Sequence, residues 1–449
     1  MNFQKIFYVV FCIFCFCIVS TGYSETISSE VSEKEISRFK QVFDQVKKSY
    51  VEDINDQTLM DYAIKGMISE LDPHSAYLDQ QDFADLQASI TGEFAGVGLE
   101  IGLKSGFITV IAPIDDSPAS KAGIEAGDRI VRVDDIPVKG LTITQVTRML
   151  RGPKNTDVKI TVFRNDLEDP FEFSLTRETI KIKSVRQRTL DNDFLYLRIS
   201  SFQSNTGSDL QKLVDIYLDE NPQTKGVILD LRNNPGGDLR AAITVTDVFL
   251  DGGLIVYTQG RLANSQIHYQ AEVGDNTFGL PLVILINDGS ASASEIVAGA
   301  LQDHRRALIV GSGSFGKGSV QTIEQIDASH AIKLTTALYY TPSGRSIQAQ
   351  GITPDITIEK VHVSRIEGIN QSTEADLNNH LNNANNNTES TSQHRREKRI
   401  SNLQLLREDN QLQEALNLLK GIQIIMTNQK TSAASNRMNN DDASNGNPE

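Results

Sequence analysis

Apolar residues between positions 36 and 71 recur mostly every three or four positions, which is the spacing of one face of a helix. They are Ile36, Phe39, Val42, Phe43, Val46, Leu59, Tyr62, Ala63, Met67, Ile68 and Leu71. The pattern stops at the turn Leu71–Ser75, which contains Pro73. It predicts a helical N-terminal region over residues 25–91.

The pattern changes at Gly92, where short β-rich runs begin to alternate with turn residues. The predicted strands are Phe107–Ile111, Arg129–Val133, Asp157–Phe163 and Phe171–Leu175, and the predicted helices are Ser117–Gly123 and Thr142–Arg151. Such alternation is typical of a small mixed β domain. We place this domain at residues 92–180.

Residues 181–360 alternate apolar strands with helices. The strands include Lys225–Leu231, Leu282–Asn287 and Ala307–Gly311, and the helices include Ala291–Gln302. This order predicts βαβ units around a mostly parallel sheet. The expected fold class is therefore a multidomain α/β protein, with residues 181–360 as its core.

The C-terminal part of the chain is polar. Residues 361–395 and 428–449 are rich in Asn, Ser and Thr, and this composition predicts disordered segments. Between them, leucines at helical spacing predict one helix over residues 396–427.

The first 24 residues have the layout of a secretory signal peptide. Lys5 precedes an apolar run of fourteen residues, Ile6–Val19, and small or polar residues follow at Ser20–Ser24. The run is shorter than the roughly 20 residues that span a bilayer as a helix. We therefore expect an exported, periplasmic protein. Membrane association through an uncleaved signal is the alternative.

The content of cysteine and of charged residues excludes several functions. All three cysteines, Cys12, Cys15 and Cys17, lie inside the signal segment. The mature chain then holds no thiol, which excludes cysteine-protease chemistry and a cysteine-based metal site. The chain has 43 Lys and Arg against 58 Asp and Glu, a net charge of −15. A nucleic-acid partner is not expected, because phosphate binding needs clustered basic residues.

Three serines lie where an apolar strand runs into a helix. They are Ser290, Ser292 and Ser294, in the segment Asn287–Ile296. A nucleophile placed here is exposed at a strand end, and the free N–H groups at the helix N-terminus favour a developing anion. A tightly packed loop with a helix-capping serine is the alternative. The residues alone do not choose among the three serines.

Lys317 lies in a loop among the glycines Gly311, Gly313, Gly316 and Gly318. The segment resembles a phosphate-binding P-loop, but Gly318 replaces the hydroxyl residue that holds Mg²⁺, and a strand rather than a helix follows. A lysine held in an apolar setting can lose its proton and act as a general base toward a serine. Gln321, four positions on, returns to the same face and its amide could hold the amine. A surface lysine is the alternative.

Two glycines end the run Val227–Leu231 in a Pro-Gly-Gly turn at Gly236 and Gly237. Glycine permits unusual backbone angles and close approach to a ligand. A backbone N–H from this turn could form an oxyanion hole together with the N–H of Ala293. A plain turn after a strand is the alternative.

A short glycine motif, Gly96, Val97, Gly98 and Leu99, opens the small β domain. Glycines before a strand can present N–H groups to the terminal carboxylate of a peptide, while the strand edge pairs with the peptide. The motif is weak on its own, and its expected role is peptide-carboxylate binding.

These segments, in this order, resemble the C-terminal processing peptidases, also called tail-specific or carboxyl-terminal proteases, over residues 35–360. The motifs that carry the resemblance are Leu71–Ser75, Leu231–Gly237, Gly289–Ile296 and Phe315–Gln321, and residues 117–128 look like the centre of a PDZ domain. The resemblance implies a Ser-Lys dyad, with Ser292 as nucleophile, Lys317 as general base and Gln321 as helper. It also implies a PDZ domain inserted before a catalytic core related to the crotonase (ClpP/crotonase) fold.

The function implied by the resemblance is that of a serine endopeptidase. It would recognise the C-terminal tails of exported proteins through the PDZ domain and cleave them, with no metal, nucleotide or other cofactor. Its partners would be proteins or peptides with free C-termini. The need for an adaptor protein and assembly into a homo-oligomer stay open.

Two other functions compete with this one. The first is a histidine-based serine hydrolase that uses His304 or His74 as the base. The second is a binding protein in which the PDZ domain recognises tails and the core is catalytically silent. Replacement of Lys317 separates the first from a lysine-based enzyme, and any turnover excludes the second.

Overall fold

The computed structural model describes residues 32–114, 116–164, 170–191, 193–262, 265–361 and 409–444. Several predicted segments lie wholly or partly outside these ranges. They are the signal peptide at 1–24, residues 25–31 of the helical region, residues 362–395 of the disordered linker, residues 396–408 of the C-terminal helix and residues 445–449 of the disordered tail. Chain contacts divide the protein into two units, residues 1–67 and 68–449.

The first unit contains helix α1 and most of helix α2, at Glu33–Ser49 and Asp56–Ser69. The first turn of α1 carries Glu33 and Glu35, and its last turn carries Lys47 and Lys48. These charges complement the helix dipole. These two helices and the later helix Gln80–Thr91 lie within the region that the apolar spacing predicted to be helical.

The second unit holds the remaining elements. Its helices are α3 Gln80–Thr91, α4 Pro118–Lys121, α5 Ile143–Leu150, α6 Thr206–Glu220, α7 Leu239–Asp247, α8 Ala293–Asp303 and α9 Asn410–Ser444. Its first strands are β1 Ala76–Leu78, β2 Glu93–Gly96, β3 Leu99–Lys104, β4 Phe107–Pro113, β5 Arg129–Val133, β6 Ile136–Pro137, β7 Asp157–Phe163, β8 Phe171–Thr176 and β9 Glu178–Lys181. The later strands are β10 Val185–Leu190, β11 Phe194–Ile199, β12 Gly226–Asp230, β13 Gly253–Gly260, β14 His268–Ala271, β15 Leu282–Ile286, β16 Leu308–Gly311, β17 Ser319–Gln325, β18 Ala331–Tyr340 and β19 Ile356–Thr357.

The small β domain is an antiparallel sheet in the order β3-β4-β5-β7-β8, with β6 beside β5. Its alternating strands bury a separate apolar core that includes Val110, Ile130, Val146 and Ile160. The strands by which the chain enters and leaves the domain, β2 and β9, pair with each other antiparallel. The domain is therefore an insertion whose two ends lie side by side.

The core sheet has the order β10-β11-β12-β15-β16-β19. Strands β11, β12, β15, β16 and β19 run parallel, and β10 is antiparallel at the edge. This confirms the mostly parallel sheet predicted for residues 181–360. Strands β12 and β15 are buried along their whole length, because helices cover both faces of a parallel sheet.

The two faces of this sheet pack against different helices. Alternate residues such as Leu229 and Ile284 join the cluster that contains α6, α7 and α8. The residues between them, such as Ile228 and Leu285, join a second cluster with the C-terminal helix α9. The period of two along a strand produces this division.

Helix α9 departs from the prediction for the C-terminus. It is described from Asn410 and runs to Ser444, so the disorder predicted for residues 428–449 is wrong for residues 428–444. Extending an existing helix is easier than starting one, and the packed turns near Leu412 supply the start. The chain contains no glycine or proline between Gly421 and Gly446 that would end the helix.

A second sheet, which the sequence pattern did not reveal, is antiparallel in the order β1-β18-β13-β14, with β17 also beside β18. Strand β1 pairs with β18 through Ala76 and Lys333, so the turn before β1 lies next to a strand more than 250 residues away. Of the helices the structure describes, none is both long and apolar enough to cross a membrane.

Candidate active site

The predicted nucleophile loop lies at the carboxyl end of β15 and leads into α8. Ser292 is the N-cap residue of α8, with φ +56° and ψ −111°. A non-glycine residue at positive φ is strained, and such strain gathers at functional sites. Its position exposes the N-terminal N–H groups of α8 beside the serine.

The contacts of the three serines differ. Ser290 and Ser294 are fully buried. Their hydroxyls donate to the backbone carbonyls of Leu231 at 2.8 Å and Asn234 at 2.9 Å. Ser292 is half-buried, and the phenol of Tyr339 contacts its side chain. The outer two serines therefore anchor the loop, which leaves Ser292 as the serine open to a substrate.

Glu295 joins the two predicted catalytic loops. Its Oε2 accepts the backbone N–H of Ser292 at 2.7 Å and that of Lys317 at 2.9 Å. Its Oε1 accepts the Ser314 hydroxyl at 2.6 Å and the Gly316 N–H at 2.7 Å. Burial raises the pKa of this carboxyl, although the four hydrogen bonds act in the opposite direction. One carboxylate therefore holds Ser292 and Lys317 near each other.

Sequence reasoning missed Glu295, although a signal for it exists. The spacing Ser-x-x-Glu at the start of a helix is that of a capping box. In such a box the glutamate side chain reaches back to the N-cap N–H, as Glu295 does toward Ser292. The pattern predicts that bond but not the second loop, which arrives from a distant part of the chain.

Lys317 is half-buried in a loop that packs against the backbone of residues 347–351. A Cβ at Gly318 would lie 2.5 Å from the Gln348 backbone nitrogen, so only glycine fits there. Burial lowers the pKa of Lys317, and the nearby Lys333 lowers it further. Glu295 and Asp72 oppose this shift. The amine therefore loses its proton more readily than a solvated lysine.

Gln321 lies in β17, next to a register shift between Val320 and Gln321. Its Nε2 donates to the hydroxyls of Ser319 at 3.0 Å and Thr335 at 3.3 Å. Within the described contacts, the amide nitrogen thus bonds to hydroxyl groups and not to Lys317. The role predicted for Gln321 stays a prediction.

The predicted oxyanion groups lie against Ser292. A Cβ at Gly236 would lie 2.8 Å from Ser292 Cβ and 3.0 Å from the Ala293 nitrogen. The Gly236 N–H donates to Asn234 Oδ1 at 2.9 Å. In the part of the chain that the structure describes, the N–H groups of Gly237 and Ala293 donate to no other group. Of the two glycines, Gly237 is therefore the one with an uncommitted donor.

Phe202 holds in place the predicted oxyanion turn, which is the turn at Gly236 and Gly237. Its N–H donates to the Gly236 carbonyl at 2.9 Å, and its carbonyl accepts the Asp238 N–H at 2.8 Å. Gly237 has φ +142°, and a Cβ there would lie 2.0 Å from the Phe202 carbonyl oxygen. Glycine is thus required at position 237 by this close approach.

The predicted carboxylate-binding motif lies in a groove of about 720 Å³ on the small β domain. Val97, Gly98 and Leu99 line one side, and Thr147 and Leu150 of α5 also line it. Gly96 is placed differently, because it ends β2 and pairs with Glu178.

The backbone of this motif has uncommitted donors. Gly98 has φ +78°, and its carbonyl accepts the Ile114 N–H at 2.9 Å and the Ser117 hydroxyl at 3.1 Å. Among the residues with described coordinates, the N–H groups of Val97 and Gly98 have no acceptor. These two groups are available to a ligand.

The two histidines considered as bases lie in different places. His304 caps the C-terminus of α8, whereas Ser292 caps its N-terminus. At 1.5 Å per residue the two residues are about 18 Å apart, so His304 cannot reach the serine. His74 lies close enough to Lys317 for the two to interact electrostatically, and it stays an alternative base.

Family models match most of the described chain. Residues 193–358 match peptidase family S41, residues 109–164 match the PDZ domain, and residues 19–82 match the N-terminal domain of the activating protease CtpB. The carboxy-terminal-processing protease of Bartonella bacilliformis is 45% identical over 368 residues, which are 81% of this chain and 85% of that protein. The carboxy-terminal processing protease CtpA of Bacillus subtilis is 35% identical over 333 residues, 74% of this chain and 71% of the relative.

A solved structure, the photosystem II D1 C-terminal processing protease, also matches. It is 29% identical, covers 73% of this chain and 94% of its own, and has a TM-score of 0.45. The sequence matches and the α/β fold with its inserted PDZ domain define the chain as a serine-type peptidase. It belongs to the carboxy-terminal processing proteases of peptidase family S41, as the resemblance implied.

Proposed function

We propose that this protease cleaves exported proteins that present free C-terminal tails, with Ser292 as nucleophile and Lys317 as general base. The observation that supports this most directly is the Glu295 carboxylate, which bonds to the backbone N–H groups of both residues. One buried carboxylate thus holds the backbones of a serine and a lysine, the residue types of a nucleophile and its base.

Neutral Lys317 accepts the proton of the Ser292 hydroxyl as the serine oxygen attacks the peptide carbonyl carbon. The resulting ammonium then returns a proton to the leaving amine, and the acyl-enzyme is released by water. The lowered pKa of Lys317, caused first by burial, increases the fraction of neutral amine available for this step.

The negative charge on the carbonyl oxygen needs donors that do not reorganise. The N–H of Ala293, at the start of α8, and the N–H of Gly237 are uncommitted within the described contacts. Because Gly236 has no side chain, the space beside these two N–H groups stays open. We assign the oxyanion hole to Ala293 and Gly237.

The groove of the PDZ domain receives the tail of the substrate. Its motif offers the N–H groups of Val97 and Gly98 to a terminal carboxylate. The groove also borders Ser200, and Phe202, two residues on, is bonded to the oxyanion turn. The segment from Ser200 to Phe202 therefore connects the groove to the turn at Gly236 and Gly237.

The test uses the chain from Glu25 onward and an unstructured protein with a free C-terminus, beside the same protein with an amidated C-terminus. Ser292→Ala and Lys317→Ala are expected to abolish cleavage, and amidation is expected to weaken binding. Cleavage that survives Lys317→Ala would transfer the role of base to His74. Binding of the tail without any turnover would make the chain a binding protein.

Export is the remaining part of the proposal. It is supported by the charged start at Lys5, the apolar run Ile6–Val19 and the small residues after it. The mass of the N-terminal peptide of the protein from its native host decides it. A chain that begins near Glu25 supports cleavage by signal peptidase, and a chain that keeps its first residues supports a membrane-held form.

A further inference from the structure

The turn before β1 contains a carboxylate with an unusually complete set of hydrogen bonds. Asp72 Oδ1 accepts the N–H groups of His74 at 2.8 Å and Ser75 at 2.9 Å. Its Oδ2 accepts the Ser75 hydroxyl at 2.6 Å. Partial burial raises the pKa of Asp72, but these bonds outweigh it and lower the pKa to about 2. Asp72 is therefore ionised and can only accept hydrogen bonds.

Strand pairing brings this carboxylate to Thr335. Because β1 pairs with β18, the Thr335 N–H donates to the Ser75 hydroxyl at 3.1 Å. The Thr335 hydroxyl donates to Asp72 Oδ1, also at 3.1 Å. That hydroxyl has a single hydrogen, so its oxygen can only accept from any other neighbour.

The other neighbour of this hydroxyl is Gln321. The Gln321 Nε2 donates to Thr335 Oγ1 at 3.3 Å and to Ser319 Oγ at 3.0 Å. A reversed amide would place its oxygen against an oxygen that has no hydrogen to give. The Ser319 hydroxyl is compatible with either orientation of the amide, because a hydroxyl can both donate and accept a hydrogen bond. Thr335 is thus the residue that decides the orientation.

We propose that Asp72 and Thr335 are positioning residues that fix the Gln321 amide with its nitrogen toward Thr335, which leaves its oxygen to accept from the Lys317 amine. The inference rests on the proposed Ser292 and Lys317 chemistry. An amide oxygen is the group that an amine can donate to, whereas an amide nitrogen offers only donors. The oxygen and the nitrogen of an amide are similar in size. The hydrogen bonds from Asp72 through Thr335 therefore select one of the two orientations of the Gln321 amide.

Asp72 is also close enough to Lys317 to affect its charge. The charged and titratable groups that act on Lys317 are Asp72 and His74 in the turn, Lys333 on β18 and Glu295 on α8. Asp72 raises the pKa of Lys317. Loss of the Asp72 charge therefore has a signature in the pH profile, which loss of the Thr335 hydroxyl lacks.

The first variant is Thr335→Val, which keeps the shape of the side chain and removes the hydroxyl. We expect kcat to fall by about 10-fold to 100-fold with little change in KM, because a misoriented catalytic neighbour costs rate rather than binding. Thr335→Ser is expected to restore the rate. The matched control is Thr336→Val, since Thr336 is exposed on the same strand and its hydroxyl bonds to that of Thr322 at 2.7 Å.

A double-mutant cycle distinguishes positioning from general damage to the fold. In a Gln321→Ala background, Thr335→Val is expected to have almost no further effect on kcat, because the residue it acts through is gone. Equal losses in the two backgrounds would overturn the proposal. Full activity of Thr335→Val alone would do the same.

The pH profile supplies the last arm. Asp72→Asn is expected to lower kcat and to move the acid limb of the profile to lower pH, whereas Thr335→Val leaves the limb in place. An unmoved limb in Asp72→Asn would overturn the role of Asp72. If the otherwise unchanged enzyme keeps its activity after Lys317→Ala, the proposed dyad is refuted instead. The failure of this inference and the failure of the proposed function are therefore distinguishable.

Discussion

The backbone N–H of Ser292 donates to the Glu295 carboxylate at 2.7 Å. Glu295 is itself fully buried, one turn into the helix that Ser292 begins. Glu295, three positions on, thus holds the strained backbone of Ser292. The other hydrogen bonds of the same carboxylate hold the loop that contains Lys317.

Replacing this carboxylate tests its role as the link between the loops. Glu295→Gln keeps the size but turns one acceptor atom into a donor that faces N–H groups. We expect kcat to fall by about 100-fold or more and the free energy of unfolding to fall by about 1–3 kcal/mol. Turnover and urea unfolding measure the two effects. Glu324→Gln, on an exposed position of β17, is the control and is expected to change neither.

The space in front of Ser292 depends on Gly236. Gly236→Ala would place a Cβ 2.7 Å from the Ala291 carbonyl and 2.8 Å from Ser292 Cβ. The matched control is Gly127→Ala, because Gly127 has the same φ of +98° but nothing within 4 Å of its added Cβ. Both variants lose about 1–2 kcal/mol of stability through backbone strain. Only Gly236→Ala is expected to lose activity, and an active Gly236→Ala enzyme would contradict the site described above.

A second glycine pair tests the PDZ groove. Gly98→Ala would bring a Cβ to 2.2 Å from Ser117 Cβ at φ +78°, whereas Gly106→Ala has φ +80° and open space. We expect Gly98→Ala to raise KM for tailed protein substrates about 10-fold, while a short internal peptide is cleaved at the normal rate. Equal effects on both substrates would show that the groove does not select tails.

The pH dependence follows from Lys317. Burial and Lys333 lower its pKa in the folded protein below 10.5, and in the proposed dyad the neutral amine is the active form. Activity should therefore rise with pH through the folded-state pKa and level off below pH 10.5. Lys333→Gln removes a like charge and should move this rise to higher pH, and a flat profile through the acid range would contradict the lysine base.

The same shift has a consequence for stability. Between the folded-state pKa and 10.5 the unfolded chain binds more protons at Lys317 than the folded one, so its contribution to stability rises with pH. Below the folded-state pKa the burial of the ammonium is a full cost. Lys317→Met should therefore be more stable than the parent below the folded-state pKa. Urea midpoints measured across pH should show that this difference in stability shrinks toward pH 10.5.

An ion pair ties α9 to the active-site strand. Arg232 follows β12, and its guanidinium donates to both oxygens of Asp409 at 2.7 and 2.8 Å and to buried Asp230 at 2.6 Å. Asp409→Asn is expected to lower the free energy of unfolding by about 1.5–3 kcal/mol, since hydrogen bonds to charged groups are lost. Asp193→Asn, which breaks an exposed pair with Lys225, should cost about 1 kcal/mol or less.

At acid pH, the difference in the free energy of unfolding between Asp409→Asn and the parent should disappear. Burial raises the pKa of Asp409, but the bonds from Arg232 outweigh it and hold the pKa below 3.8. The stabilisation is therefore present above pH 3.8 and is lost as pH falls through the folded-state pKa. A difference that persists under strong acid would contradict the ion pair as its cause.

The sequence by itself determined elements of the small β domain and of the parallel sheet, and it determined the chemistry-bearing loops. Strands such as β5 and β7 have the predicted bounds, because a short apolar alternation between turn residues depends on local geometry alone. The glycines around Lys317 and the turn at Gly236 were also visible in the sequence, since glycine is needed where another part of the chain approaches the backbone closely. The C-terminal helix was found but its length was not, because a helix already begun continues through polar residues.

Only the tertiary structure decided which of these groups meet. Three serines were equivalent in the sequence, and the buried bonds of Ser290 and Ser294 set Ser292 apart. The choice of Gly237 over Gly236 depends on the side chain of Asn234, which takes the N–H of Gly236. The second sheet carries Thr335 to Asp72 across more than 250 residues. Hydrogen-bond partners at such separations leave no periodic trace in a chain, because they depend on the packing of whole elements rather than on spacing along one of them.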